Sequence, residues 1–243
     1  MTVFENSQTI QRLVREAVAK RDLPHLPCRL VAVSKTKPVS DIVEAYNAGI
    51  RHFGENYIQE LHEKSNDSTI IEKCPDIKWH YVGHLQSNKS KLLSKVKNLF
   101  LMETIDSTKL CDKLNSESML PESGSRLKVL VQVNSSGETQ KSGTTSNEAV
   151  SLVDHIVSKC PNLEFRGLMT IGSYGHDYTQ GENPDFEVLL SCKERLLDHM
   201  GLKEADLEMS FGMSNDYLHA ISMGSTNVRV GSSIFGSRQY PTS

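Results

Sequence analysis

The feature that most constrains the fold is a regular alternation of short β-branched segments with helical segments, which begins after Pro27. Strict alternation of strands and helices predicts a parallel sheet. About eight such units within 243 residues favour a closed (β/α)8 TIM barrel over an open doubly wound sheet. The open sheet would also need a G-x-G-x-x-G turn after its first strand, and the sequence has none there. The predicted strands are Arg29–Ser34, His52–Asn56, Trp79–Gly83, Leu99–Ile105, Lys128–Val133, Phe165–Ile171, Leu207–Ser210 and Asn227–Val230.

Residues 1–27 precede the first strand–helix unit. Ile10, Val14 and Ala17 recur at helical spacing among acidic and basic residues, which predicts an amphipathic helix. This mixture of charges is typical of neither a signal peptide nor an acid-poor transit sequence. No linker rich in Pro, Gly or Ser divides the chain. We therefore expect one α/β domain over residues 1–243, a single TIM barrel with an extra N-terminal helix and linker over residues 1–27.

Composition excludes several classes of function. The net charge of −3 and the pI near 6.3 give no electrostatic signature of nucleic-acid binding. No apolar run approaches the ~20 residues that span a membrane. The five cysteines are odd in number and form no C-x-x-C pair, so they predict neither a disulfide framework nor a zinc site. A reducing compartment suits such cysteines, and we expect a cytoplasmic protein.

The first residue with candidate chemistry is Lys35. It follows Val31 and Val33 at two-residue spacing, so the three side chains share one face of the first strand. If the valines point into the barrel, Lys35 ends that column at the C-terminal mouth, where barrel active sites lie. Desolvation lowers the pKa of a lysine, and the neutral amine attacks aldehydes. Taken alone, the pattern fits a solvated lysine beside Lys37 better.

The last predicted strand adds a second argument. Arg229 lies between two valines, so its side chain is on the opposite face from theirs. If the valines pack against the outer helices, Arg229 points into the barrel, where its charge needs a partner. Gly231 and Ser232 then open a turn whose backbone N–H groups suit a phosphate. Ser214, in the loop after strand seven, adds a hydroxyl. Barrels often bind phosphate with these two loops, so the pieces together indicate a phosphate site facing an amine, although each alone also fits a cap or a turn.

Several motifs, in order along the chain, resemble the pyridoxal phosphate homeostasis protein family (YggS/PROSC). This family is similar to the barrel domain of alanine racemase and lacks that enzyme's second domain. The match runs from about Leu30 to Arg238, with two small departures: Phe211 stands where the family usually has Met, and Ser232 where Thr is common. The matching segments are Val33–Lys35, Phe53–Asn56, Trp79–Lys89, Lys141–Gly143, Gly167–Gly172, Ser210–Ser214 and Val228–Gly236.

The resemblance implies a cofactor and a set of residues that bind it. The cofactor is pyridoxal 5'-phosphate (PLP), held as a Schiff base on Lys35. Arg229 matches the residue that faces the pyridine nitrogen. The remaining matches are the phosphate ligands and the residues that line the ring; they are Ser214, Gly231 and Ser232 for the phosphate and Asn56 and Met169 for the ring.

Arg229 also bears on whether the chain is an enzyme. Arginine keeps its proton in proteins, so it disfavours a protonated pyridine, and an unprotonated ring is a poor electron sink. Racemisation would need a second acid–base group, which in alanine racemase comes from the missing domain. We therefore expect no robust catalysis. The expected protein is a monomeric PLP carrier in vitamin B6 homeostasis, with PLP-dependent apoenzymes as partners and no nucleic-acid or membrane partner.

Two alternatives remain open from the sequence. One is a PLP-dependent amino-acid racemase with an unrecognised base. The other is a phosphate-binding barrel enzyme in which Lys35 is not modified.

Overall fold

A closed barrel of eight parallel strands forms the centre of the molecule in the computed structural model, which describes residues 1–23, 26–116, 125–138, 141–173 and 181–236. The strands follow one another in chain order, and the last pairs with the first. This topology confirms the predicted TIM barrel. The strands are β1 (Arg29–Val33), β2 (His52–Glu55), β3 (Lys78–Tyr81), β4 (Leu99–Ile105), β5 (Leu127–Gln132), β6 (Leu163–Met169), β7 (Glu208–Ser210) and β8 (Asn227–Val230).

Helices surround the barrel and connect its strands. Arg238, where the motif match ends, lies outside the described residues. In the described ranges the helices are α1 (Val3–Lys20), α2 (Val39–Asn47), α3 (Ile58–Ser65), α4 (Ser68–Lys73), α5 (Ser90–Leu93), α6 (Thr108–Ser116), α7 (Ala149–Lys159), α8 (Pro184–Met200), α9 (Tyr217–Ser222) and α10 (Ser232–Phe235).

The predicted N-terminal helix is α1. It begins with a capping box, in which the Thr2 side chain accepts from the backbone of Glu5 and the Glu5 side chain accepts from the backbone of Thr2. Its apolar face buries Ile10 and Val14 against the main core. The helix packs on α2, α9 and α10, and Asn6 Nδ2 donates to the α10 carbonyl of Ile234 at 3.0 Å. The added helix thus supports the short α10 at the end of the barrel.

Alternation along the strands divides their side chains between two environments. Val228 and Val230 belong to the large apolar core between the barrel and its helices. A separate, smaller cluster contains Leu101, Leu130 and Met169. Because Val228 and Val230 face outward, Arg229 points into the barrel, where it is 5% exposed.

Two further findings concern the cysteines and the ability of the helices to span a membrane. The five cysteines are all free thiols. Across the described ranges, the helices are too short or too polar to cross a membrane.

Candidate functional site

A cavity of about 770 Å³ opens at the C-terminal mouth of the barrel. Its walls come from the C-terminal ends of β1, β6 and β8 and from the segments that follow β1, β2, β3, β6, β7 and β8. Lining residues that the sequence analysis did not single out include Val82, Ser173, Met213 and Asp216. All seven residues predicted from the sequence line this one cavity: Lys35, Asn56, Met169, Ser214, Arg229, Gly231 and Ser232.

Lys35 lies two residues beyond β1, partly buried on the cavity wall. The inward direction of its column is visible at Gly54, where an added Cβ would lie 3.0 Å from Val31 and 3.4 Å from Val33 side-chain atoms. Val33 itself lines the cavity. The predicted column of Val31, Val33 and Lys35 therefore runs up the inside of the barrel to its mouth.

The loops after β7 and β8 are joined beside this lysine. Gly231 N donates to Ser214 Oγ at 3.1 Å, which ties one loop to the other. A Cβ at Gly231 would lie 3.3 Å from Val33 O, so glycine lets this backbone approach β1 closely. Ser232 begins α10, and the first N–H groups of a helix have no intrahelical acceptor. Hydroxyls and backbone donors at one wall of a cavity form an environment that suits a phosphate group.

Arg229 lies deeper, and its hydrogen bonds fix its guanidinium. Nη2 donates to Thr170 O at 2.7 Å, and Nη1 donates to Ser210 Oγ. The nearest carboxylate is that of Glu103, whose Oε2 lies 3.9 Å from Nη1. Burial lowers the pKa of Arg229 from its ordinary value, and the negative charges of Glu103 and Asp216 offset this only in part. The cation predicted from the strand pattern thus has a buried counterion.

Glu103 is the centre of a polar network below Arg229. It is 0% exposed, and its carboxylate lies 2.6 Å from His80 Nδ1 and accepts from Asn227 Nδ2 at 3.0 Å. Ser210 Oγ donates to the other oxygen. Burial raises the pKa of Glu103, but the hydrogen bond from His80 and the charge of Arg229 outweigh it and hold the pKa at about 2. Since an ionised carboxylate only accepts, His80 must donate from Nδ1.

Sequence reasoning required a partner for Arg229 but did not identify Glu103. The signal was present, because Glu103 is the one charged residue in the strand segment Leu99–Ile105, which is otherwise apolar except for Thr104. The rule that places Arg229 inside the barrel applies equally to a glutamate there. Arg229 and Glu103 are therefore counterions, and the presence of each buried charge accounts for that of the other.

Asn56 lines the same cavity, and its side chain carries an unsatisfied polar atom. Its Oδ1 is buried and has no hydrogen-bond partner among the described residues. The backbone of Asn56 is packed against Gly83, where an added Cβ would lie 1.9 Å from Asn56 O. Buried polar atoms without partners are rare and require an explanation, and a ligand in the cavity is one. Position 83 therefore needs a glycine so that the backbone of Asn56 can lie where it does, and sequence reasoning did not predict this.

These features define a class of protein: a parallel barrel with an amine, loop hydroxyls and backbone donors, and a buried arginine at its mouth. The family model for the alanine racemase N-terminal domain matches residues 8–239. A pyridoxal phosphate homeostasis protein from Homo sapiens is 53% identical over 235 residues, covering 96% of this chain and 86% of the relative. The chain belongs to the alanine racemase N-terminal domain family, among its pyridoxal phosphate homeostasis proteins.

Solved structures agree with this assignment. PipY of Synechococcus elongatus, solved with PLP bound, has a TM-score of 0.73 and 30% identity, covering 92% of this chain and 100% of PipY. Alanine racemase from Corynebacterium glutamicum is 14% identical with a TM-score of 0.67, and shares the barrel fold. The match covers 99% of this chain but 62% of the racemase.

Proposed function

We propose that this chain binds PLP as a Schiff base on Lys35 and acts in intracellular PLP homeostasis, without robust catalysis of its own. The observation that carries the proposal is the convergence of the seven sequence-predicted residues on one cavity of about 770 Å³. That volume lies within the roughly 300–1,000 Å³ typical of small-molecule sites. The names of the relatives, and the PLP bound in the PipY structure, support the same function.

The groups on the cavity wall fit the parts of PLP. Ser214, Gly231 and Ser232 would hold the phosphate, and the Lys35 amine would carry the aldehyde carbon. The side chain of Asn56, which lines the cavity, would lie beside the ring. Met169 would contribute an apolar surface to the ring. When bound, PLP supplies an aldehyde and an electron-accepting ring.

Arg229 determines what chemistry the site favours. Its side chain would donate to the pyridine nitrogen, and Glu103 stabilises the guanidinium in its charged form. A donor that keeps its proton leaves the ring nitrogen unprotonated, which weakens the ring as an electron sink. The residues of this site therefore hold and orient the cofactor more than they activate it.

An amino-acid racemase is the alternative, and it requires a second acid–base group over the cavity. Among the cavity-lining residues in the described ranges, the titratable side chains besides Lys35 and Arg229 are Lys37 and Asp216. Lys37 Nζ donates to Phe235 O at 2.8 Å, and Asp216 accepts from Met213 N. Lys37 thus holds the end of α10, and Asp216 holds backbone of the loop after β7, which are structural tasks.

The setting we propose is a cytoplasmic monomer that supplies PLP to PLP-dependent apoenzymes. Five free thiols suit a reducing compartment. In alanine racemase the second acid–base group comes from a further domain across a dimer interface, and a carrier has no need of that partner.

The experiment that tests the proposal compares binding, turnover and transfer on one preparation. Purified protein is loaded with PLP and gel-filtered, and its visible absorption is recorded. Loaded protein is then mixed with L- or D-alanine, or with a PLP-dependent apoenzyme and a scavenger of free PLP. We expect retained PLP, negligible inversion of alanine and reactivation of the apoenzyme. Rapid inversion by the monomer would overturn the carrier proposal in favour of the racemase.

A further inference from the structure

Lys35 lies in a β-turn whose conformation is unfavourable for its own sequence. Lys37 N donates to Ser34 O at 3.0 Å, which closes a turn with Lys35 and Thr36 at its centre. Thr36 has a φ of +62°, the left-handed region that the third position of a type II turn requires. Glycine suits that position and a β-branched residue does not. Such a conformation persists where surrounding structure holds it, and it often marks a functional site.

Two side chains of helix α3 hold this turn, and the first of them is Lys64. Lys64 on α3 is 7% exposed, and its Nζ donates to Ser34 O at 2.8 Å, Glu55 Oε1 at 2.7 Å and Glu60 Oε1 at 2.7 Å. An ammonium group has three N–H donors, so every one is used. The bond to Ser34 O anchors the peptide group that precedes Lys35.

Glu60 is the second side chain of α3 that holds the turn. Its Oε1 accepts from Thr36 N at 2.7 Å, in addition to the bond from Lys64. That N–H belongs to the peptide group that follows Lys35. One ion pair, four residues apart on α3, therefore anchors both peptide groups that flank Lys35. Because peptide groups are planar, holding both of them fixes φ and ψ at Lys35 and so the direction in which its side chain leaves the backbone.

Glu55 connects this arrangement to the neighbouring strand. It is 0% exposed at the end of β2, and its Oε1 accepts from Ser34 Oγ at 2.7 Å as well as from Lys64. None of Glu55, Glu60 and Lys64 is among the described residues that line the cavity. These side chains therefore act on a bound molecule through the turn and not by contact.

We propose that Lys64 and Glu60 are positioning residues for Lys35, holding its turn so that the amine meets a bound aldehyde in a reactive direction. The inference rests on the proposed function, since it concerns the imine bond between Lys35 and PLP. In that step the amine nitrogen bonds to the aldehyde carbon, and the aldehyde oxygen leaves as water. A misplacement of about 1 Å can cost on the order of a hundredfold in rate, so a loosened turn should slow the step measurably.

The test measures two quantities in each variant. The first is the rate at which added PLP forms the imine, followed by its visible absorption in a stopped-flow instrument. The second is the equilibrium affinity for pyridoxine 5'-phosphate, which has an alcohol in place of the aldehyde and so reports on the cavity without the imine. The variants are Lys64→Met, which keeps the apolar stem, Lys64→Arg, which keeps the charge, and Glu60→Ala.

Lys193→Met is the matched control. Lys193 on α8 forms an ion pair with Glu204 at 2.7 Å, and its side chain is 9% exposed, against 8% for Lys64. It lies outside the set of cavity-lining residues. The control therefore removes a lysine of nearly equal burial, ion-paired with the two carboxylates of Glu194 and Glu204, that has no contact with the Lys35 turn.

We expect Lys64→Met and Glu60→Ala to slow imine formation about tenfold or more, with pyridoxine 5'-phosphate affinity changed less than about twofold. Lys64→Arg should recover most of the rate, and Lys193→Met should match the wild type in both measurements. If Lys64→Met does not fold, Glu60→Ala provides the test instead, because Glu60 is partly exposed and its replacement should disturb folding less. Wild-type rates in Glu60→Ala, or equal losses of both quantities, would overturn the inference. A wild-type protein that binds pyridoxine 5'-phosphate but forms no imine would overturn the proposed function, and this inference with it.

Discussion

Replacing Glu103 with glutamine should destabilise the protein strongly, because it removes the counterion of a buried arginine. Arg229 is 5% exposed and Glu103 is 0% exposed, so water cannot replace the lost charge. Removing one member of a buried ion pair costs about 3–5 kcal/mol. The lower end applies here, since the 3.9 Å separation between Arg229 Nη1 and Glu103 Oε2 is bridged by the Ser210 hydroxyl.

The titration of Glu103 points in the same direction. Its pKa is held at about 2 in the fold, against 4.5 ordinarily, so its partners, with His80 first among them, stabilise the ionised form. Because the folded pKa is lowered, this stability is present above pH 4.5 and is lost as the pH falls through about 2. We expect Glu103→Gln to lose roughly 3 kcal/mol at neutral pH, the lower end of the range for a broken buried pair.

Urea unfolding at neutral pH, followed by circular dichroism, measures this loss. Glu208→Gln is the control, because its ion pairs with Arg29 and Arg166 are partly exposed and should each be worth about 1 kcal/mol or less. Adding Arg229→Met to Glu103→Gln should restore part of the stability, since it removes the charge left unpaired. A loss below about 1 kcal/mol in Glu103→Gln, with an unchanged denaturant slope, would refute the buried-pair reasoning.

Three further predictions concern the cavity and its support. Ser214→Ala and Ser232→Ala should each weaken PLP binding about tenfold or more and pyridoxal binding much less, because a hydrogen bond to a charged phosphate is worth roughly 1.5–3 kcal/mol. Titrations with both ligands check this, and equal losses would show that these hydroxyls do not touch the phosphate. Burial raises the pKa of Glu55 to about 7 from 4.5, so the folded state binds the extra proton between these values. The free energy of unfolding should therefore fall by roughly 3 kcal/mol as the pH rises from 4.5 to 7, relative to Glu55→Gln, in urea titrations across that range; parallel pH profiles would contradict it. Gly83→Ala should lower both the melting temperature and PLP affinity, because the new Cβ would lie 1.9 Å from Asn56 O, and a variant with wild-type affinity would contradict that role.

The barrel and its mouth were predictable because the signals for them are local. Alternation of Val228, Arg229 and Val230 alone determines that the arginine faces inward once the valines face the helices. The bounds of β4 and β8 coincide with those predicted, and the other strands differ by a few residues at their ends. Strand ends depend on how neighbouring loops pack, as at Asn56, whose backbone lies against Gly83 just beyond the end of β2.

The support around Lys35 was not predictable in the same way. Lys64 lies 30 residues from Ser34 in sequence. Its ammonium group is buried only because α3 packs over the turn that follows β1 and contains Lys35. From sequence alone, Glu60 and Lys64 form an ordinary i, i+4 pair of a solvated helix face. The left-handed φ of Thr36 likewise has no sequence signal, since glycine is the residue that usually marks such a turn.

The most direct test of the central claim is to locate the bond between PLP and the chain. Wild-type protein and Lys35→Ala are loaded with PLP, reduced with borohydride, digested and analysed by peptide mass mapping. We expect a pyridoxyl adduct on Lys35 in the wild type. We expect no adduct at the cavity in Lys35→Ala, whose circular dichroism should match the wild type because a partly buried lysine at the mouth adds little to packing. An adduct carried mainly by another lysine of the wild type, or an undiminished adduct in Lys35→Ala, would contradict the claim.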